Sequence, residues 1–449
     1  MGFINDIFSG VEKLLSGVAG EILDAVVKGL SDDIQPGDVE IKSIVLMSED
    51  QQRKYDLLAQ CTSFDIYESI TSPVIFAELG ISDTIGLLQS FPIIGEEYVV
   101  ISFKTPGTKA PPAQYMFRVN QVKDKKINEN NKQVSYKLQL VSAELIRNST
   151  TLMNLSYGDT IDNLVNRVME DGISSTKPLR IDKTSGIEKG TITRMTPFKA
   201  IDFLRRRAVS TEFASSSFVF FESRDGYRFT TIEKMMHEGG KLMDAGANDK
   251  EFFFDTSRKD NAKNVTLRNI LAYNQITFTD TISKVQHGGL TNEVNAFDLV
   301  TGGIKKITYT NNVGQDKFKF ANKDAASMNT SGFNRNHGKK PAKKKFVPVS
   351  ADKPDTNRPE KISIAAAYAQ TITQNIVQIH IYGDSEIRVG DVIKCSFPSG
   401  VSADNDKGQS RLDSGSYLVA KVRHMILNTD RPQHTISLEL IKGSFEENA

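Results

Sequence analysis

The sequence predicts a mainly β fold with an α/β insert, organised as two related β domains around a small domain of helices and a hairpin. Most of the chain alternates apolar and polar residues with a period of two, which is typical of half-buried strands. The stretch 149–262 changes to helical periodicity. Two fragments, "IIGEEYVVISFKTPG" at 93–107 and "IRVGDVIKCSFPSG" at 387–400, repeat one order of glycine, acid, strand, Ser-Phe and stop.

Residues 1–32 place apolar side chains at helical spacing, which predicts an amphipathic N-terminal helix. Charged residues interrupt the apolar stripe, so it is not expected to span a bilayer or to form the core of a signal peptide, and no membrane anchor is predicted. Its polar face mixes acids and bases, which favours docking on a protein over a membrane surface, with packing on the protein's own body as the alternative. The residues expected to bind a partner are its first apolar ones: Phe3, Ile4, Ile7, Phe8, Val11 and Leu14.

Residues 33–148 are expected to form the first β domain, because runs such as "YVVISFKT" and "VSYKLQLVSAEL" alternate. Residues 149–262 are expected to form the insert. There "DTIDNLVNRVMEDGI" and "TPFKAIDFLRRRAV" each begin with a capping residue and predict two helices. The run "FVFFESRDGYRFTTIEKM" predicts two strands joined at Asp225 and Gly226, a dipeptide that tolerates the positive φ angles of a tight hairpin turn.

Residues 263–320 and 361–445 are expected to form the second β domain, and the stretch "KISIAAAYAQTITQNIVQIHIYG" is interpreted as strand throughout. Residues 321–360 are rich in Asn, Ser, Lys, Pro and Gly, which predicts a flexible basic insertion. The basic cluster at 335–345 is able to contact a phosphate backbone. Because no aromatic residue stands among its lysines to stack on bases, a solvated loop is the favoured interpretation, and nucleic acid is not an expected partner.

The two β domains match at a fixed shift of 300 positions. The matching apolar pairs are Phe117 with Tyr417, Val119 with Val419, Val122 with Val422, Leu138 with Leu438, Leu140 with Leu440, and Val141 with Ile441. Any two amphipathic hairpins can be slid into phase, but the shared order of motifs and the equal loop length between the paired strands favour an internal duplication. Three such chains would offer six near-equivalent domains, which match a six-fold ring of another protein.

The alternation also predicts which side chains fill the two cores. They are Val100, Phe103, Phe117, Val119, Leu138 and Leu140 in the first domain, and Cys395, Phe397, Tyr417, Val419, Leu438 and Leu440 in the second.

Composition and motifs favour no catalytic or cofactor-binding site. Positive and negative side chains nearly cancel, 56 against 55, so the whole molecule offers no field that would collect nucleic acid. The six histidines are scattered singly, the two cysteines lie far apart, and neither a metal-binding spacing nor a nucleophile motif is present. No catalytic residue, cofactor or metal ligand is therefore assigned. The alternative from the enzyme class is a peptidoglycan hydrolase that uses an acid of the insert, Glu222 or Glu233.

The order of several motifs resembles a known family. Over residues 35–445 the chain carries "ESITSPVIFAELGISD", "PIIGEEYVVISF", "TPFKAIDFLRRRAV", "FVFFESRDGYRF", "RVGDVIKCSF" and "SGSYLVAKVRHMI", and in this order they resemble the baseplate hub proteins of contractile-tailed bacteriophages. The resemblance implies two β-barrel tube domains per chain and a homotrimer in the form of a pseudo-hexameric ring. The same module opens the tip proteins of type VI secretion, where it is fused to an OB-fold and a β-helical needle.

The resemblance also implies a structural, non-enzymatic role as a symmetry adaptor. The implied partners are the hexameric tail tube or a tube-initiator protein on one side and a separate trimeric spike protein with an OB-fold on the other, with the tape-measure protein as a further candidate. The implied location is the virion, in the tail baseplate, after assembly in the host cytoplasm. Alternatives that remain open are a tail-associated peptidoglycan hydrolase and the hub of a phage-derived injection or secretion device.

Overall fold

The structure is a computed structural model of the 449-residue chain. It describes residues 34–108, 110–128, 133–213, 216–245, 250–254, 267–278, 280–289, 291–298, 301–310, 343–349, 358–373, 375–398, 410 and 412–443. The N-terminal segment 1–32 lies outside the described residues, with the predicted partner-binding residues Phe3, Ile4, Ile7, Phe8, Val11 and Leu14. No helix in the described ranges is long and apolar enough to cross a membrane.

Strands dominate the described residues, which confirms the prediction of a mainly β fold. In chain order they are β1 Glu40–Met47, β2 Lys54–Asp56, β3 Cys61–Ser69, β4 Phe76–Asp83, β5 Tyr98–Lys104, β6 Ala113–Asn128, β7 Gln133–Val141, β8 Met153–Asp159, β9 Leu179–Ile181, β10 Glu188–Met195, β11 Phe218–Ser223, β12 Gly226–Thr231, β13 Glu251–Phe253, β14 Ile270–Thr277, β15 Thr291–Asp298, β16 Ile304–Thr310, β17 Lys343–Val349, β18 Asn375–Tyr382, β19 Val392–Ser396, β20 Gly415–Leu427 and β21 Gln433–Lys442.

The helices are short and lie mainly between the two β regions. They are α1 Leu87–Ser90, α2 Ala143–Thr150, α3 Ile161–Val168, α4 Pro197–Arg205, α5 Ile232–Asp244, α6 Thr281–Gln286 and α7 Arg358–Ile372, with one π-helical turn at Met169–Ile173.

One sheet of 13 strands runs through both β regions. Its order is β14-β18-β21-β20-β3-β4-β7-β6-β5-β1-β2, with β19 paired to β20 and β13 paired to β19. Hydrogen bonding among the described residues does not close this sheet into the two barrels that the resemblance implies. The reason is that β3 of the first region pairs with β20 of the second, so the strands continue from one region into the next instead of returning on themselves.

The sheet curves around two separate apolar cores, one in each β region. All twelve predicted core residues are buried. Eleven of them lie in these two cores, whereas Val100 packs on the opposite face of the sheet with Val45 and Met47. The parity of Val100 in its strand explains the difference, since neighbouring residues of a strand point to opposite faces.

The strand registers of the two regions agree at the shift of 300 positions. Val119 lies opposite Leu140 in the first region, and Val419 lies opposite Leu440 in the second. The register then slips by one residue at the same place in both, after Val119 and after Val419. A shared bulge is not supplied by alternation alone, because a bulge adds a residue to one strand at one defined point. The register therefore supports the predicted duplication.

The repeated glycine and acid before β5 and β19 have the same backbone role. The carbonyl of Glu97 accepts a hydrogen bond from the amide of Val119 at 3.0 Å, and the carbonyl of Asp391 accepts one from Val419 at 2.8 Å. A glycine with a positive φ angle precedes each acid. Gly95, with a φ of 99°, stands two residues before Glu97, and Gly390, with a φ of 85°, stands directly before Asp391. Such φ angles favour glycine. The repeated glycine and acid in the sequence thus mark the turn that leads into β5 in the first region and into β19 in the second.

The insert contains the two predicted helices, α3 and α4, and the predicted hairpin β11–β12. Apolar side chains of both helices and both strands form a third core. The run after Thr231 forms helix α5, although the sequence pattern there was interpreted as strand. Thr231 caps this helix, since its hydroxyl accepts a hydrogen bond from the amide of Lys234 at 3.2 Å.

Two predictions about the second β region are wrong. The run "KISIAAAYAQTI" forms helix α7 and not a strand, and Ile364, Ala367, Tyr368, Thr371 and Ile372 are buried at helical spacing. The alternating isoleucines at its start imitate a strand, but the alanines that follow favour a helix.

The flexible insertion predicted for 321–360 is also wrong in part. Lys343–Val349 form strand β17, and helix α7 begins at Arg358. β17 pairs in parallel with β15, whose other neighbour is β16. These three strands make a separate small sheet, so β15 and β16 do not belong to the large sheet as the assignment of 263–320 to the second β domain implied.

Equivalent core positions in the two regions should be equally sensitive to truncation. Leu138→Ala and Leu438→Ala each remove a fully buried side chain, and each should lower the free energy of unfolding by about 2–5 kcal/mol. Leu427→Ala, at a leucine that is 56% exposed, is the control and should change it by ~0.5 kcal/mol or less. Urea unfolding measures all three, and a loss below ~1 kcal/mol at either core position would contradict the assignment.

Candidate functional site

The two β regions meet where β3 pairs with β20, and this contact is called the seam. Residues 63–69 run antiparallel to residues 421–427 in seven consecutive pairs. Because side chains alternate across a strand, one face of the seam points into the molecule and the other points to solvent. The two faces have different chemistry.

An aromatic ring lies at the centre of the inner face. The ring of Phe103, on β5, is 5.8 Å from Phe64, 5.8 Å from His424 and 5.5 Å from His434, measured between ring centroids. The Tyr115 ring stacks on its other side at 6.1 Å. Side chains of both β regions therefore share one packed cluster across the seam.

A buried carboxyl group lies in the same inner face. Glu68 is 3% exposed, and its Oε1 accepts a hydrogen bond from the Tyr115 hydroxyl at 2.8 Å. Burial raises the pKa of Glu68 to about 7, against the opposing effect of this hydrogen bond. Near neutral pH the group is therefore close to half protonated.

The two seam histidines are neutral and bonded to each other. His424 Nδ1 lies 3.0 Å from His434 Nε2, and both rings are buried. Burial lowers the pKa of His434 to about 3 and that of His424 well below its ordinary value. The His434 ring lies directly against the backbone at Gly383, where an added Cβ would come within 2.1 Å of it. Only glycine fits at this position.

The outer face of the sheet around the seam is charged but paired. Its ion pairs are Arg423 with Asp65 at 3.3 Å, Lys421 with Glu439 at 2.8 Å and Lys137 with Glu78 at 3.1 Å. Between them lies an open cleft of about 400 Å³, lined by side chains that include Tyr67, Phe76, Gln378 and His380. Exposed pairs of this kind add little stability, and their main effect here is to cancel the charge of the face.

The turn of the insert hairpin is held against the second β region. Arg224 donates to the carbonyl oxygen of Ser385, and Arg388 pairs with Asp225. Ser385 in turn exchanges hydrogen bonds with Thr105 of the first region, at 3.2 Å and 2.9 Å. The hairpin turn, β5 and the segment after β18 thus share one polar junction beside the seam.

A second buried polar group joins the insert to the first β region. The Lys177 ammonium lies between the carboxylates of Glu144 and Glu222, and its Nζ is 2.8 Å from Glu144 Oε2. Glu222 also accepts hydrogen bonds from the Ser142 hydroxyl at 2.5 Å and from the Ile75 amide at 3.1 Å. Every member of the group is thereby paired with a partner of opposite charge or with a donor.

The acids suggested for the hydrolase alternative do not line an open site. Glu222 is 2% exposed and belongs to the Lys177 group, and Glu233 on α5 is fully buried. A general acid must reach the proton acceptor on its substrate, and neither side chain reaches solvent here. Within the described ranges no three His, Cys, Asp or Glu side chains are grouped to hold a metal ion.

The open edges of the large sheet include those of β14 and of the second half of β6. Strand β14 pairs only with β18, and its exposed edge carries Leu271 and Ile276, which are 43% and 50% exposed. Residues 121–128 of β6 pair with β7 on one side only, and Ile127 there is 66% exposed. Open edges with apolar side chains are sites at which another strand can be added.

The sequence-predicted sites are not brought together by the structure. The N-terminal residues lie outside the described part, and of the basic cluster only the lysines of β17 are described. Sequence reasoning missed Glu68, His424 and His434 as functional residues. Their signal was available in part, since the strand alternation places all three on the inward side, where a polar residue needs a partner.

Comparison with known proteins places this fold in a class. No protein-family profile and no curated protein sequence matches the chain, but solved structures do. The tail protein of Neisseria meningitidis MC58 superimposes with a TM-score of 0.53 at 9% identity, over 89% of this chain and 96% of that one. The 43 kDa tail protein of prophage MuSo2 from Shewanella oneidensis does so with a TM-score of 0.50 at 8% identity, over 89% and 98%.

The chain therefore shares its fold with these two tail proteins. A weaker similarity, with a TM-score of 0.45 at 9% identity over 92% of this chain and 79% of the other, is to an E. coli type VI secretion component described as similar to the T4 tail proteins gp27 and gp5.

The raised pKa of Glu68 predicts a specific pH dependence of stability. The unfolded carboxyl loses its proton above pH 4.5, whereas the folded one keeps it up to about pH 7, so this group is most stabilising below pH 4.5. Glu68→Gln keeps the acceptor for Tyr115 but cannot titrate. The free energy of unfolding of the variant, relative to the parent, should therefore rise by up to ~3 kcal/mol between pH 4.5 and 7. Urea unfolding at both pH values measures it, and a constant difference would contradict the assignment.

The Lys177 group should be sensitive to loss of its cation alone. Lys177→Met leaves two buried carboxyl groups without a counter-charge and should lower the free energy of unfolding by about 3–5 kcal/mol. The triple variant with Glu144→Gln and Glu222→Gln removes the uncompensated charges and should recover most of that loss. Equal stability of the single and the triple variant would mean that charge pairing does not explain the contact.

Proposed function

We propose that the protein is the structural hub of a contractile phage-tail baseplate, a homotrimer whose six β regions form a pseudo-hexameric ring. The ring would join the hexameric tail tube to the trimeric spike. The observation that carries the proposal is the seam, because it is a ready-made contact between two β regions of matching register. The fold that the chain shares with tail proteins supports a role in a phage tail.

The seam supplies a template for the contact between neighbouring chains. β14 holds the place in the second region that β3 holds in the first. Phe64 lies opposite Leu79, and Tyr273 lies opposite Ile379, which is 300 positions beyond Leu79. The aromatic rings that pack against Phe64 and Tyr273 are also equivalent in the two regions. Phe64 packs on Phe103 at 5.8 Å, and Tyr273 packs on Phe397 at 4.6 Å.

By the same shift, β6 holds the place of β20. Since β3 pairs with β20 within the chain, β14 of one chain is expected to pair with residues 121–128 of β6 in the next. Because β6 contains an extra residue between Lys123 and Lys126, its register is carried over through the partner strands. Ile127 lies opposite Val134 as Ile426 lies opposite His434, and Ile426 lies opposite Phe64 in the seam. This places Ile127 of one chain opposite Tyr273 of its neighbour. Both edges are open among the described strands, and both carry exposed apolar side chains.

Repetition of this contact closes a ring. The contact is head-to-tail, because β14 of one chain meets β6 of another, and head-to-tail contacts give either rings or open fibres. Six near-equivalent seams, three within chains and three between them, match a six-fold partner such as the tail tube or a tube-initiator protein. The three-fold repeat of whole chains matches a trimeric spike protein with an OB-fold, and the tape-measure protein is a further candidate partner.

The proposed role is architectural, with no catalytic step, cofactor or metal. The buried state of Glu222 and Glu233 gives the peptidoglycan hydrolase alternative no support. The hub of a phage-derived injection or secretion device would use the same ring and stays a second candidate. For a phage, the location is the tail baseplate of the virion after assembly in the host cytoplasm.

The oligomeric mass and the β14 edge test the proposal together. Light scattering should give about three times the chain mass of 49.8 kDa. Leu271→Lys with Ile276→Lys places two charges on the β14 edge and should convert the trimer to a folded monomer, since inward or edge charges block strand addition. A parent chain that is monomeric or dimeric would overturn the proposal.

The matched control replaces exposed apolar residues away from both edges. Leu152→Lys with Ile187→Lys changes two side chains of similar exposure in the insert, 57% and 47%, and should leave the trimer intact. Circular dichroism confirms that the edge variant is folded. An edge variant that stays trimeric would mean that β14 is not the contact.

A further inference from the structure

The small sheet β16-β15-β17 is covered on one face only within the described part of the chain. Helix α7 packs on the inner face, where Val294 and Val347 form a cluster with Ile362 of the helix. The Asn292 side chain donates to the carbonyl oxygen of Ser363 at 3.0 Å and ties the same two elements together. The residues of the outer face therefore have the opposite parity in each strand.

The outer face presents three large apolar side chains next to each other. Phe297 lies opposite Ile304 on the neighbouring strand, and Phe346 lies on β17 opposite the residue two positions before Phe297. They are 37%, 63% and 70% exposed. Three adjacent exposed side chains of this size make an apolar patch and not isolated surface residues.

The patch lies beside cations. Lys306 and Lys344 share the carboxylate of Glu293, which is buried beneath them, at 2.7 Å and 3.9 Å. Their own side chains stay 61% and 58% exposed. The outer face thus offers apolar contact area next to excess positive charge.

The chain itself contains a segment with the complementary chemistry. Residues 1–32 repeat apolar side chains at helical spacing and carry five acids against two lysines. The other long segment outside the described residues, 311–342, carries six Lys or Arg against two Asp, so it has the same sign of charge as the face. A helix of 32 residues is ~48 Å long, which is enough to reach across a domain of this size.

We propose that the outer face of the small sheet, centred on Phe297, Ile304 and Phe346, binds the amphipathic N-terminal segment of this chain. The apolar stripe that begins at Phe3 and Ile4 covers the patch, and acids of the segment face Lys306 and Lys344. The small sheet then lies between two helices, α7 on one face and the N-terminal helix on the other, which is a common layer arrangement. This contact goes beyond the hub function and does not depend on ring formation.

Photo-crosslinking in the full-length chain tests the contact directly. With p-benzoylphenylalanine in place of Phe346, irradiation and mass spectrometry should find cross-links to residues 1–32. The same probe in place of Leu242, which is 61% exposed on α5, is the control and should not reach that segment. Cross-links from position 346 only to 311–342, only to other residues, or to none would overturn the proposal.

Limited proteolysis gives a second readout. Trypsin cleaves after Lys13 and Lys28, and docking should protect both bonds in the parent chain. Ile304→Asp with Phe346→Asp should speed cleavage at these sites by about tenfold, because each lost apolar anchor weakens the docked state. Leu242→Asp should leave the rate unchanged. Equal rates in all three proteins would contradict docking, whether or not the chain forms a trimer.

Discussion

The pairing of β3 with β20 is the contact on which the arrangement of the molecule depends. It joins strands that are more than 350 residues apart in the chain into one continuous sheet. It also brings side chains of the two regions into contact, since Phe103 of the first region packs on His424 and His434 of the second. The hairpin of the insert is fixed beside it through Ser385. The other direct contacts between the two β regions, such as the hydrogen bonds of Thr105 with Ser385 and the ion pair of Arg431 with Asp38, each involve single residues and not a run of paired strand.

The side-chain contacts that cross the seam specify how the strands pair. A slip of one residue between β3 and β20 would turn the inward side chains of one strand to the other face. Such a slip would separate Phe103 of the first region from His424 and His434 of the second, whose rings it packs on. On the outer face it would break the ion pair of Arg423 with Asp65. These contacts therefore favour a single alignment of the two regions.

Local alternation and turn chemistry were enough to predict three features from the sequence. These are the repeat, the insert hairpin and eleven of the twelve core positions. Helix α7 did not, since Ile362 and Ile364 alternate like strand residues before the helical spacing becomes visible. β17 was missed because a run of lysines has no apolar pattern, and only its pairing with β15 makes it a strand. The seam cluster was beyond reach for a different reason. Its members come from strands far apart in sequence, and alternation shows that a residue points inward without showing what it meets there.

Strand β6 differs from β20 in one respect that bears on mechanics. Its register slips a second time, between Lys123 and Lys126, and Asp124 there has a φ of 54°. In a ring of three chains, the joints inside each chain would be the β3–β20 pairings, which lack this kink and pack on Phe103, His424 and His434. The joints between chains would include the kink. Stiff and compliant joints would then alternate around the circumference. Under an axial load such a ring would yield first at its three compliant joints, and it would come apart into whole protomers before any one of them was torn.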